Sequence, residues 1–342
     1  MEGKSGTILL ILKVLEKYSD ENHPLSQQDI IDKVEQEYGI CLERKSVSKH
    51  INALIADFDY DIEHISIKDK SGKNKKIGYA LINRMFETSE IKFLVDAIYS
   101  SKMIPGNYAK NLAKKLYSTL SDNQQSECDY SYIISSNNIN RTDNKEIFNN
   151  IELIQKAIVD KKRINFKMKG YDENGKSTTR KDGLIYTVSP YYLVNNDSKY
   201  YMICNPFTPK YGIKPYRLDN IIDVEIIDEP SYPLNNIDGY KNFNISEYLN
   251  ENIYMYGGLT ISATLEFKNS YTIAYIKEYF GNNARIYKKD DKLYADIKKC
   301  NRTALTFWVL QYSKEVTLIS PSDLVNEIKD HLTKKLEDYS KL

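Results

Sequence analysis

Apolar residues recur at helical spacing near the start of the chain, at Ile8, Ile11, Leu12, Leu15 and Tyr18, and His23-Pro24 closes that helix. Ser26 and Asp29 have the spacing of a capping box, with Asp in place of the usual Glu or Gln; they open a second helix that runs to Tyr38 and ends at Gly39. After the short turn Ile40-Cys41-Leu42, a third helix sets Val47, Ile51, Leu54 and Ile55 on one face and Lys45, Ser48, Lys49 and Asn52 on the other. Strand-like apolar positions then replace the helical spacing. Ile62, Ile65 and Ile67, a polar loop, and Ile77, Tyr79 and Leu81 predict a β-hairpin, with Lys68, Lys70, Lys73, Lys75 and Lys76 crowding its tip and only Asp69 offsetting them.

Two further helical stripes follow, Ile91, Leu94, Val95, Ile98 and Tyr99, then Leu112, Leu116 and Leu120, separated by Ile104-Pro105-Gly106-Asn107. Residues 121–144 are rich in Ser, Asn and Asp and hold one apolar patch, Tyr132-Ile133-Ile134, which predicts a linker with a short strand at a domain boundary. Phe148, Ile151, Ile154 and Ile158 predict an amphipathic helix, and Ile164, Phe166 and Met168 begin a strand whose hairpin turns at Asp172 to Gly175. Thr187–Val194 and Tyr200–Cys204 read as adjacent antiparallel strands joined by Asn195-Asn196-Asp197-Ser198, with Tyr191 and Leu193 on one face and Tyr192 and Val194 on the other. A cationic strand carrying Lys214 and Arg217 follows. From Asp228 to Gly258, two prolines, a polar run and Gly257-Gly258 predict a second linker, long enough for the C-terminal module to reach another subunit.

At 342 residues the chain exceeds what one core usually serves, so two to four domains are expected. A net charge of +1 gives no global attraction to polyanions, which leaves any nucleic-acid binding to local patches. The four cysteines lie far apart with no metal-ligand spacing and read as free, buried thiols. No segment is apolar enough for a signal peptide or a membrane span, and a cytoplasmic location without membrane association fits both facts.

A charge run by itself is usually a solvated face. Here helix, glycine turn, helix and basic hairpin occur in the order of a winged helix-turn-helix, which points to double-stranded DNA. Arg44, Lys45, Ser46, Ser48, Lys49 and Asn52 are the candidate contacts on the third helix, and Lys73, Lys75 and Lys76 those on the wing, where cations follow the phosphate backbone. The tyrosine-rich stretch from Tyr186 to Ile221 has a different use: a guanidinium among tyrosines makes a pocket for a planar or anionic ligand. Arg217 also has a structural alternative, pairing with Asp219 or Asp223. No dinucleotide, phosphate-loop, zinc-protease or nucleophile-elbow motif is present, so the chain reads as a binder and not an enzyme, with no catalytic residues, metal site or cofactor.

RKSVSKHINAL followed by GYALI resembles the N-terminal domain of bacterial WYL-domain transcription regulators, with Lys45, Ser46 and Lys49 at its Arg-Thr and second Arg positions and His50 replacing an aspartate. SPYYL, the triplet Tyr200-Tyr201-Met202, and the later strand with Lys214, Arg217 and Asn220 resemble the WYL domain itself, only Arg217 keeping a guanidinium. Phe307-Trp308 and Ser320-Pro321 sit where the extension called WCX has an aromatic pair and a strand-to-helix turn. The resemblance implies an α+β multidomain chain: a winged helix-turn-helix over residues 1–85, a helical bridge and linker over 86–144, a small Sm-like β-barrel or sheet WYL domain over 145–235, and a linker with an α/β ferredoxin-like WCX domain over 236–342. It implies a homodimeric transcription regulator whose WYL domain senses a nucleotide or single-stranded nucleic acid, with Ser189, Tyr191, Tyr201, Lys214, Arg217 and Asn220 as ligand candidates. The alternative is an accessory module that senses nucleic acid or a nucleotide and regulates a partner protein, for example in phage defence.

Overall fold

The computed structural model describes residues 4–68, 74–128, 141–206 and 212–342. The chain mixes helices with several antiparallel sheets and divides into two compact units, Met1–Thr142 and Asp143–Leu342.

The first unit begins with α1 (Lys4–Tyr18), α2 (Gln27–Tyr38) and α3 (Arg44–Phe58), whose stripes meet in a core built on Ile11, Leu15, Ile30, Val34, Val47 and Ile51. The capping box forms with Asp in the acidic place: Asp29 N donates to Ser26 Oγ at 3.2 Å and Ser26 N donates to Asp29 Oδ2 at 2.8 Å. Gly39 ends α2 in the left-handed region at φ 69°. Ile55 departs from expectation, being 41% exposed, because the helix turns it away from the seam that Leu54 closes.

The hairpin of β1 (Ile62–Lys68) and β2 (Asn74–Leu81) is antiparallel, with a register shift at Ile65/Ser66. The turn before α2 adds an isolated antiparallel bridge to β2: Leu25 N donates to Tyr79 O at 2.8 Å and Tyr79 N to Leu25 O at 2.7 Å. That approach requires Gly78, since a Cβ there would lie 2.4 Å from both the carbonyl carbon and oxygen of Leu25.

Among the described residues, helices α4 (Thr88–Ser100), α5 (Gly106–Tyr117) and α6 (Asp122–Glu127) follow in this unit. Arg84 ties them to the helical head by donating to the carbonyls of Glu16, Ser19 and Thr119 at 2.6 to 3.2 Å. Ser121 does so too, donating from Oγ to buried Asp20 Oδ2 at 2.6 Å. The start of the expected linker is therefore helix, capped by Ser121; its apolar patch at Tyr132-Ile133-Ile134 lies outside the described residues.

In the second unit, α7 (Ile147–Val159) packs on a sheet of β3 (Lys162–Tyr171), β4 (Ser177–Thr179), β5 (Ile185–Asn196), β6 (Lys199–Pro206), β7 (Lys214–Arg217) and β8 (Ile221–Pro230). The strand order is β4-β3-β5-β6-β7, and β8 also pairs with β3. The β5–β6 turn is tighter than predicted. Asn196 pairs with Lys199, leaving only Asp197 and Ser198 between the strands, at φ 49° and 56°.

A register shift between Pro190 and Tyr192 overturns the predicted alternation on β5. Tyr191 and Tyr192, adjacent in sequence, both pack on the cluster of Tyr201, Ile203, Ile237 and Tyr248, because the bulge turns one extra residue toward that face. The expected linker after β8 is packed as well. Ile237, Tyr248 and Met255 are buried on the sheet, and α8 (Ile245–Glu251) lies within the segment.

The remainder runs β9 (Thr260–Phe267), α9 (Thr272–Phe280), β10 (Ala284–Lys289), β11 (Lys292–Asn301), α10 (Arg302–Gln311), β12 (Val316–Ser320) and α11 (Ser322–Tyr339). Its antiparallel sheet has the order β10-β11-β9-β12. Trp308, Leu265, Leu305 and Leu324, all fully buried, fill its core.

Candidate ligand cleft and nucleic-acid face

On α3, Arg44, Lys45, Lys49 and Asn52 are exposed, opposite the buried Val47, Ile51 and Leu54. Ser46 and Ser48 are half-buried. Ser48 is engaged with α2, its Oγ accepting from Gln27 Nε2 at 2.6 Å, and Arg44 donates from Nη2 to Gln28 Oε1 at 3.1 Å. These two bonds tie α3 to α2, leaving Lys45, Lys49 and Asn52 as one outward stripe at helical spacing. Half-buried His50 has its pKa lowered by burial and by the charge of Lys49, so near neutrality it adds no cation to this stripe. Lys75 and Lys76 are exposed on β2, across from Ile67 and Ser66; Lys73 lies outside the described residues.

In the second unit a cleft of about 640 Å³ opens beside β7. Tyr201, Arg217 and Asn220, predicted from the sequence, all line it, and Tyr201 and Arg217 are direct cross-strand partners. The guanidinium grips Asp219 with a two-bond fork, Nε to Oδ1 at 3.1 Å and Nη2 to Oδ2 at 2.5 Å. This hydrogen-bonded carboxylate raises the Arg217 pKa above its ordinary value, so the cation is permanent. Burial pushes Tyr216, a further lining residue, up to about 12 and raises Tyr201 against the pull of Arg217, so both phenols stay protonated as donors.

The turn behind Arg217 is held from α7 and the residues before it. Asn144 Nδ2 donates to Asp219 O at 3.2 Å and Ile221 O at 2.8 Å, and Asn150 Nδ2 donates to Ile221 O at 2.9 Å. Asn144→Ala is expected to destabilise the second unit by about 2 kcal/mol, because buried carbonyls lose their donor. Urea unfolding followed by hydrogen exchange in that unit measures it, and unchanged protection around Leu218–Ile221 would remove Asn144 from this role.

Three candidates do not meet Arg217. Ser189 is 2% exposed and its Oγ accepts from Tyr232 N at 2.9 Å, while Tyr191 Oη donates to Tyr232 O at 2.7 Å. Both hold the segment after β8 in place of lining the cleft, because the β5 bulge redirects this end of the strand. Lys214 begins β7, roughly 10 Å along the strand from Arg217, and is outside the cleft lining.

The structure brings to the cleft several residues that sequence reasoning missed. Arg180 and Lys199 add cations beside Asp197, and Tyr254, Tyr256 and Phe307 form an aromatic wall, Tyr256 and Phe307 stacking at 5.4 Å and 17°. Phe307 carried a signal: successive helix positions point about 100° apart, so an adjacent Phe and Trp do not both enter one core. Trp308 is fully buried and Phe307 is 52% exposed.

Of the cysteines, Cys204 and Cys300 are buried and their thiol pKa values are pushed up by burial. Cys41 is exposed and Cys128 half-buried, which corrects the expectation of four buried thiols. Among the described residues no group of three His, Cys, Asp or Glu side chains is placed to hold a metal ion, and no helix is long and apolar enough to cross a membrane.

Residues 149–226 match the family model of the WYL domain, a span that includes Tyr201, Tyr216, Arg217 and Asn220 but not the aromatic wall. Among solved structures the chain is similar to proteasome accessory factor B/C (PafBC) of Arthrobacter aurescens, at 14% identity and a TM-score of 0.30 over 98% of this chain and 48% of that one. The chain thus spans about half the length of that protein. It is also similar to a structure described as a CRISPR Cas-related protein, at 14% identity and a TM-score of 0.39 over 100% of this chain and 87% of that one. No curated protein matches.

Proposed function

We propose that the chain is a DNA-binding transcription regulator whose WYL domain senses a nucleotide or single-stranded nucleic acid. The observation that carries this reading is the α3 stripe: Lys45, Lys49 and Asn52 face outward from a helix whose other side is core, in the same unit as a hairpin bearing Lys75 and Lys76. Helix, turn, helix and hairpin joined by the Leu25–Tyr79 backbone pair support a winged helix-turn-helix, with α4 to α6 as the bridge. The antiparallel sheet after α7, in which β8 returns to pair with β3, supports an Sm-like domain. The β9-α9-β10-β11-α10-β12 succession with order β10-β11-β9-β12 supports a ferredoxin-like C-terminal domain.

The sensor is the cleft, in which Arg217, Arg180 and Lys199 meet phosphate while Tyr201, Tyr256 and Phe307 stack on bases. The chain acts as a homodimer in the cytoplasm and catalyses no reaction. Because the cleft lies between the WYL sheet and residues of the C-terminal segment, an effector that prefers one arrangement of the two resets the spacing of paired recognition helices on two half-sites. Two titrations test the proposal: the Lys45→Ala/Lys49→Ala variant on duplex DNA, and Arg217→Ala against short single-stranded DNA. Loss of single-strand binding in Arg217→Ala together with full duplex binding by the lysine variant would favour the rival, an accessory nucleic-acid sensor acting on a partner protein.

The wing gives a separate expectation. Lys75→Gln should weaken binding to every duplex alike and reduce the slope of log affinity against log salt by about 1, as removal of one phosphate contact does. Fluorescence anisotropy over a salt series reads it, and a loss confined to one sequence would move Lys75 from backbone to base contact.

A further inference from the structure

A second cavity of about 500 Å³ lies between β5 and the segment after β8, and it shares no lining residue with the Arg217 cleft. Its size suits a one-ring or two-ring ligand. Tyr191, Tyr192, Tyr232, Tyr240 and Phe243 form its wall, with Phe243 5.6 Å from Tyr192 and 5.9 Å from Tyr240 between ring centroids. The lining includes Lys161 and Lys241, both exposed, and no carboxylate. Neither lysine has an ion-pair partner among the described residues.

The wall is built, not loosely draped. Ser231 N donates to Lys161 O at 2.8 Å and Ser231 Oγ to Lys162 O at 2.8 Å, which anchors the segment where it leaves β8. Next along it, Tyr232 is held at both backbone groups by Ser189 Oγ and Tyr191 Oη. The Tyr191 phenol, its pKa raised by burial, remains a neutral donor to that carbonyl. Thus the two residues that the sequence suggests as ligand contacts of Arg217 shape a different pocket.

We infer that this pocket binds a small planar aromatic carboxylate, with its ring against the tyrosine and phenylalanine wall and its anion on Lys161 and Lys241. The aromatic faces supply area to a flat ring at low entropic cost, and two lining cations without a carboxylate in the lining select the sign of charge. The inference does not rest on the regulator reading, since it concerns a site apart from both the cleft and α3.

The test uses the full chain and fluorine NMR with para-fluorobenzoate, its neutral analogue para-fluorobenzyl alcohol and its cationic analogue para-fluorobenzylamine. The expected result is a preference of about tenfold for the carboxylate over the alcohol, the size two exposed cations supply together. Lys161→Gln/Lys241→Gln, a change of exposed side chains, should abolish that preference and leave weak ring binding. Lys161→Glu/Lys241→Glu should turn the preference toward the amine. Equal binding of carboxylate and alcohol, no binding of either up to its solubility, or a carboxylate preference that survives both double variants overturns the inference.

Discussion

Gly78→Ala is expected to destabilise the first unit by about 3 kcal/mol, the range for forcing volume into a packed site and losing backbone hydrogen bonds. The added Cβ would sit 2.4 Å from the carbonyl carbon and oxygen of Leu25 and 2.8 Å from Ser26 N. All three are backbone atoms, so no side chain can swing away to relieve the clash. The strand must move off the turn, which breaks the paired bonds between Leu25 and Tyr79 and disturbs Ser26 at the start of α2. Hydrogen exchange of peptides spanning Leu25 and Tyr79 in the full chain measures the effect. Protection equal to that of the parent would mean that the hairpin does not depend on this close approach. Because β2 also carries Lys75 and Lys76, the same variant should lose duplex binding even where it remains folded.

Lys45→Ala/Lys49→Ala should weaken binding to a selected duplex by about 3 kcal/mol, roughly a hundredfold, since good charged contacts to base edges or phosphates contribute about 1 to 3 kcal/mol each. Both side chains are exposed and neither is part of the α1–α2–α3 core, so the fold is expected to survive. Arg44 and Ser48 are poorer choices for this test, because each bonds to α2 and its loss changes helix geometry together with charge. The duplex is obtained by selection from a random pool with the parent protein, and both proteins are titrated at one salt concentration. Unchanged affinity for the selected duplex would end the DNA-binding reading.

The helical head was legible because its determinants are local. Ser26 and Asp29 are three residues apart, Gly39 ends its helix through its own φ, and the stripe of Val47, Ile51 and Leu54 needs only helical spacing to declare a buried face. The lysines opposite that stripe could be read off the same periodicity. Gly78 was visible within a motif, yet its reason was not, since the atoms it accommodates belong to Leu25 and Ser26, more than fifty residues earlier.

The second unit was read less completely, for an equally physical reason. Arg217 and Asp219 stand two residues apart, and the sequence allowed their pairing, which the structure contains as a two-bond fork. Apart from Tyr201 and Asn220, the residues that share a cleft with Arg217 were beyond reach. Tyr254, Tyr256 and Phe307 come from segments with no local mark of that neighbourhood, and a polar, proline-bearing stretch that reads as a linker is in fact packed by its aromatics.

By itself, the sequence determined where helices start and stop, which helix face is core, and that the cationic stripe of α3 and Arg217 lie on opposite sides of the chain's midpoint. These follow from capping, periodicity and charge, whose effects extend only a few residues. Tertiary structure alone decided which aromatic side chains meet, because a single bulge at Tyr191 reassigns a strand's faces and long-range packing joins segments separated by a hundred residues. It thereby put Tyr191 on the wall of one pocket, with buried Ser189 bonded to Tyr232 of that wall, and Arg217 in another.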